Sequence, residues 1–152
     1  MRFERGIRMS ATHTDLTTRN QLRGTVKSVL SGPVMAEVSV EANGEEFVAV
    51  ITRHSAERLG LRQGDSVTVL VKATEVMLAK GSSRLEQLTV RNQIPGTVSG
   101  VETGAVMAEV RVDVAGEELV AAVTRHSVAR LGLAQGDPVL LLIKATEVML
   151  AK

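Results

Sequence analysis

Residues 16–26 read LTTRNQLRGTV and residues 88–98 read LTVRNQIPGTV, the same leader and the same Gly-Thr-Val strand start at an offset of 72 residues. Working outward, residues 17–80 align with 89–152 without a gap, and about two thirds of the positions are identical. A repeat on this scale decides the architecture before any local propensity does. The joining segment GSSRLEQL, residues 81–88, is short and polar and reads as a linker between separate units. Residues 1–16 read as an N-terminal extension of a cytoplasmic protein. They carry three Arg but no apolar stretch able to form a signal-peptide core, and His13 within them carries no motif.

Within the first copy, GTVKSVLSGPVMAEVSV places Val34, Ala36, Val38 and Val40 in alternation with Met35, Glu37 and Ser39. That predicts strand, turn at Ser31-Gly32-Pro33, strand. EANGEEFVAVIT supplies an Asn-Gly turn and a third strand. RHSAERLGL predicts a short helix, with Thr52 as N-cap and Gly60 in the left-handed position at its end. A turn at Gly64-Asp65 leads to a strand rich in Val and Leu that Lys72 interrupts, then a polar break at Thr74-Glu75 and a final VML. Pro138 in the second copy sits at a strand entrance, where its missing donor is tolerated. The expected fold is all-β: two small OB-like β-barrel units, each with one short helix between the third and fourth strands. A 64-residue unit buries little surface alone. Association with its twin and with further chains is the economical way to complete its core.

Composition excludes several functions. The chain has 152 residues, 18 Lys plus Arg against 17 Asp plus Glu, two Phe, and no Trp, Tyr or Cys. A balanced charge and so few aromatic rings argue against a nucleic-acid or membrane partner. Thiolate chemistry and soft-metal sites are excluded outright. His54 and His126 lack metal-ligand spacing, and each neighbouring Ser is the wrong partner for a nucleophile–base pair, because adjacent helical residues do not face one another. Glu45-Glu46 and Glu117-Glu118 follow turns and read as solvated surface. The expectation is a protein that is not an enzyme.

An anion site has more support, because three polar elements recur. The leader gives Thr17 and Arg19, then Thr89 and Arg91. The helix start gives Thr52 and Ser55, then Thr124 and Ser127. The late strand gives Lys72-Ala73-Thr74, then Lys144-Ala145-Thr146. Hydroxyls and amides at such turns donate to oxyanions. A lysine in an apolar strand requires a partner, and a tetrahedral oxyanion or a carboxylate from a neighbouring subunit would each serve. Against this stand plain structural roles: Thr52 as a cap, Ser55 as a first-turn residue, Arg19 as a solvated strand leader.

On these residues the chain resembles the tandem molybdate-binding, or molbindin (Mop- and TOBE-like), domains of bacterial molybdenum homeostasis proteins. The family's Ser-Ala-Arg-Asn leader appears as Thr17-Thr18-Arg19-Asn20 and Thr89-Val90-Arg91-Asn92, each followed by Gly-Thr-Val. Its GAVNAEV strand appears as GPVMAEV at Gly32 and GAVMAEV at Gly104. Its Thr-x-x-Ser-x-x-x-Leu-Gly-Leu helix spans 52–61 and 124–133, and its Lys-Ala-Ser/Thr strand end stands at Lys72 and Lys144. The resemblance implies that Thr17, Arg19, Thr52, Ser55, Lys72, Ala73 and Thr74 bind an oxyanion. The second copy would do so with Thr89, Arg91, Thr124, Ser127, Lys144, Ala145 and Thr146. It implies molybdate, with tungstate as an alternative anion, held at interfaces between units of a homotrimer and stored or buffered in the cytoplasm. The leader Ser is Thr here, which keeps the hydroxyl and adds a methyl. The family's strand Asn is replaced by Met35 and Met107. Two alternatives from other classes are a ligand-sensing module acting through a protein partner and a purely structural β assembly module, which would pair Lys72 and Lys144 with carboxylates. A helix-turn-helix segment and a Gly-rich phosphate loop are both absent from the sequence.

Overall fold

The structure, a computed structural model, describes residues 15–152. His13 and most of the N-terminal extension lie outside the described residues. Strand β1 (Asn20–Ser31) is long because it serves two neighbours. Its first half, Asn20 to Thr25, pairs with β4 (Ser66–Val71), and its second half, from Thr25, pairs with β2 (Met35–Ala42). A bulge between Val26 and Ser28 bends the strand between these two duties. Gly24 permits a close approach to β2. A Cβ there would lie 2.7 Å from Val40 Cγ1 and 2.8 Å from the Glu41 carbonyl oxygen, closer than packed atoms approach. Gly96 meets Val112 and Asp113 in the same way, at 2.6 and 2.8 Å. The repeated glycine of Gly-Thr-Val is therefore a packing requirement.

The Asn43-Gly44 turn has positive φ at both residues, 57° and 82°, and leads into β3 (Glu45–Thr52). Helix α1 (Arg53–Arg58) follows, capped by Thr52 as expected, with Gly60 at φ 61° beyond its end. After β4 a 3₁₀ turn (Ala73–Glu75) leads to β5 (Met77–Lys80). The second copy repeats the order: β6 (Asn92–Thr103), β7 (Met107–Val114), β8 (Glu117–Thr124), α2 (Arg125–Leu131), β9 (Pro138–Ile143), a 3₁₀ turn (Ala145–Glu147) and β10 (Met149–Ala151). Pro138 opens β9, as its missing donor requires. Val34, and by the repeat its equivalent Val106, fall at the expected strand starts. They lie in the hairpin turns instead, 71% and 72% exposed, and the strands begin one residue later.

The sheets do not follow the repeats. One has the order β10-β4-β1-β2-β3 and the other β5-β9-β6-β7-β8. The last strand of each copy has crossed to the other: Met149 pairs with Leu70, and Leu78 with Leu141. Each copy lacks a strand until its twin supplies it, and one hydrophobic cluster, with Phe47, Val38, Leu141 and Val110 among its members, runs through both.

Buried polar groups reinforce the exchange. The Asn20 carboxamide accepts from Val120 N–H (2.7 Å) and donates to the Val120 carbonyl (2.8 Å), acting as one residue of a strand against the edge of β8. Asn92 does the same for Val48 of β3, at 2.7 and 2.9 Å. At the crossed ends, Lys152 Nζ donates to the carbonyls of Leu59 and Gly60 (3.1 and 3.3 Å) and lies 3.1 Å from Asp65. Lys80 does the same at Leu131, Gly132 and Asp137. Each exchanged strand thus ends on the carbonyl-rich terminus of the other copy's helix. Among the described residues no helix is long and apolar enough to cross a membrane.

Candidate oxyanion site

The helix start is the first component. Thr52 has extended φ and ψ (−70°, 147°), so its side chain folds over the first turn, and its Oγ accepts from the Ser55 amide at 3.1 Å. Its hydroxyl donates to Ser55 Oγ at 2.9 Å. A hydroxyl has one proton to give. With Ser55 Oγ already accepting from Thr52, the Ser55 proton is not used in this contact. Thr124 and Ser127 repeat this geometry, at 3.1 and 2.9 Å.

The Lys-Ala-Thr segment is the second. Lys72 was expected to interrupt an apolar strand, but β4 ends at Val71, and Lys72 is the exposed, extended residue before the 3₁₀ turn. Lys144 holds the same place. Among the described residues neither lysine has a carboxylate within ion-pair distance. The turn directs the following strand across to the other sheet, and so it packs on the other repeat: Ala145–Glu147 on β3, and Ala73–Glu75 on β8.

Two grooves result, each built from both repeats. The first, of about 400 Å³, brings Thr146 to Thr52 and Ser55, with Arg58 at its side and Met35 and Met149 as apolar walls. The second, of about 270 Å³, brings Thr74 to Ser127, with Arg130 and Met77. Thr124 caps α2 without lining the second groove. Lys72-Ala73 and Lys144-Ala145 directly precede the lining threonines. Each groove therefore takes its hydroxyls from opposite repeats, an assignment that a linear reading by copy does not make.

The leaders lie elsewhere. Arg19 Nη1 is 2.7 Å from Glu109 and Arg91 Nη1 is 2.5 Å from Glu37, each carboxylate belonging to the other repeat. The Arg19 hydrogen bond holds Glu109 below the usual carboxylate range, aided by the charges of Arg19 and Arg111. Thr17 and Thr89 are exposed and line neither groove. Gln21 donates to the Thr18 carbonyl at 2.9 Å, and Gln93 ties Val90 and Leu85, so the glutamines of the leader fold the chain that precedes them. His54 and His126 are exposed, and no group of His, Asp or Glu suited to a metal ion occurs among the described residues.

The sequence reading missed Arg58 and Arg130, Met77 and Met149, and the helix-end lysines Lys80 and Lys152. A signal for the arginines was present. Between the copies Ala56 becomes Val128 and Glu57 becomes Ala129, while the Arg that follows is retained.

The family profile of the TOBE domain matches the chain twice, at residues 16–78 and 88–150. The chain is 39% identical over 137 residues to the molybdenum-pterin-binding protein MopA of Rhodobacter capsulatus, a match covering 89% of this chain and 51% of MopA. It thus spans about half the length of that relative. It is 41% identical over 64 residues to molybdenum-pterin-binding protein 3 of Clostridium pasteurianum, covering 41% of this chain and 94% of that protein. Among solved structures it is similar to the cytoplasmic molybdate-binding protein ModG with molybdate bound. The identity there is 40%, the TM-score 0.85, and the coverage 90% of this chain and 97% of the other.

Proposed function

The chain belongs to the TOBE domain family, of which it carries two copies, and from that premise we propose that it binds molybdate reversibly, with tungstate as a companion anion. It acts as an intracellular store or buffer in the cytoplasm. The observation that carries this reading is the pair of composite grooves, in which strand exchange sets Thr146 against Thr52 and Ser55, and Thr74 against Ser127. Ser55 and Thr146 donate hydroxyl protons to the anion, while Lys144, one residue before Ala145, supplies a compact positive charge that no carboxylate among the described residues claims. Apolar walls strengthen each of these contacts by excluding water. No bond is made or broken, so the protein works as a binder and not as an enzyme. Selectivity over sulfate, which has the same charge and shape, comes from the size of the closed cavity.

Grooves of about 270 and 400 Å³ stand at the small end of small-molecule pockets and are wide for one five-atom anion. Neighbouring chains close them in a homotrimer, where the leader hydroxyls of Thr17 and Thr89 complete the donor set. Calorimetric titration tests the reading, with sulfate at equal ionic strength as control and light scattering on the same sample. Saturable heat with molybdate, its loss in Lys72→Ala/Lys144→Ala with the assembly intact, and a mass of three chains are the expected results. No heat with molybdate would overturn the reading.

A further inference from the structure

We propose that Arg58 and Arg130 are the guanidinium ligands of the two grooves, one for each, reaching an oxyanion that the hydroxyls position. The inference rests on the oxyanion reading above and adds to it a charged group outside the leader, the cap and the Lys-Ala-Thr segment.

Three observations carry it. First, the arginines line equivalent grooves independently, Arg58 beside Ser55 and Thr146, Arg130 beside Ser127 and Thr74. Each stands three residues after its serine, and that spacing puts both side chains on one face of the helix. Second, neither has a carboxylate among the described residues. Glu57, the nearest in sequence to Arg58, is bound by Arg53 Nε at 2.8 Å, and the corresponding residue beside Arg130 is Ala129. Third, the ordinary reason for an arginine in the last turn of a helix is to serve the terminal carbonyls. That place is taken: Lys152 occupies the carbonyls of Leu59 and Gly60, and Lys80 those of Leu131 and Gly132. A cation excluded from the helix terminus, unpaired among the described residues and sharing an apolar-walled groove with two hydroxyls, is placed to grip a doubly charged tetrahedral anion. Its planar fork binds two oxygens at once, which a lysine ammonium does not do.

The test titrates molybdate into the full chain, Arg58→Ala, Arg130→Ala, the double variant and Arg58→Lys, with the thermal midpoint of each measured without anion. Each alanine substitution weakens the sites of one groove by about ten- to a hundredfold and leaves the others, since a hydrogen bond to a charged group is lost. Arg58→Lys recovers part of the loss, and the anion-free midpoints stay in place. If the double variant titrates like the unaltered chain, the arginine assignment fails while the oxyanion reading stands. An affinity loss matched by a fall in the anion-free midpoint makes the role structural and likewise overturns the assignment. If the unaltered chain takes up no molybdate, both fail together.

Discussion

At the scale of the residue, the leader and the Gly-Thr-Val that follows it are chiefly architectural. Asn20 and Asn92 each satisfy one edge-strand residue of the opposite repeat, and Gln21 and Gln93 hold the chain before them. Gly24 and Gly96 are set by contact, since a methyl at either would press on a backbone carbonyl oxygen that cannot rotate away. Gly24→Ala and Gly96→Ala are each expected to destabilise the fold by about 1–3 kcal/mol, as overpacking does. Urea unfolding measures this, and an unchanged midpoint would contradict the close approach. The Thr52–Ser55 and Thr124–Ser127 relays are equally local, which is why both N-caps were legible from four residues of sequence.

At the scale of the element, strand alternation, the Asn-Gly turn and the short helices were all readable, because each depends on neighbours within a few positions. The destination of the last strand was not. VML reads the same whether it pairs with its own sheet or with its twin's. What sends it across is the 3₁₀ turn after Lys72, together with the lysine that ends on the other helix. For the same reason the sequence names Thr74 and Thr146 as candidates but does not show that each lines a groove with the other repeat's serine. The crossed ends predict a pH effect. The Lys152 hydrogen bond, with the Arg62 amide, holds the Asp65 carboxyl below its ordinary value, and Arg19 does the same for Glu109. A carboxyl lowered on folding stabilises the native state above its unfolded pKa of about 4, and that contribution is lost as pH falls through the lower, folded value. The thermal midpoint should therefore fall from about pH 5 downward, and Lys152→Ala should flatten the part of that fall that belongs to Asp65. An identical acid profile in the variant would count against the tie.

At the scale of the whole molecule, strand exchange makes the two repeats one folding unit with a shared core, and the same exchange builds the grooves. Duplication gives two copies of each candidate binding element, and the crossing decides which copies meet. That pairing is the central claim, and a double-mutant cycle on molybdate affinity tests it most directly. Ser55→Ala is combined with Thr146→Ala, from the other repeat but the same groove, and separately with Thr74→Ala, from the same repeat but the other groove. Coupling of about 0.5 kcal/mol or more is predicted for Ser55 with Thr146, and additivity for Ser55 with Thr74. Coupling of Ser55 to Thr74, with Thr146 additive, would contradict the account.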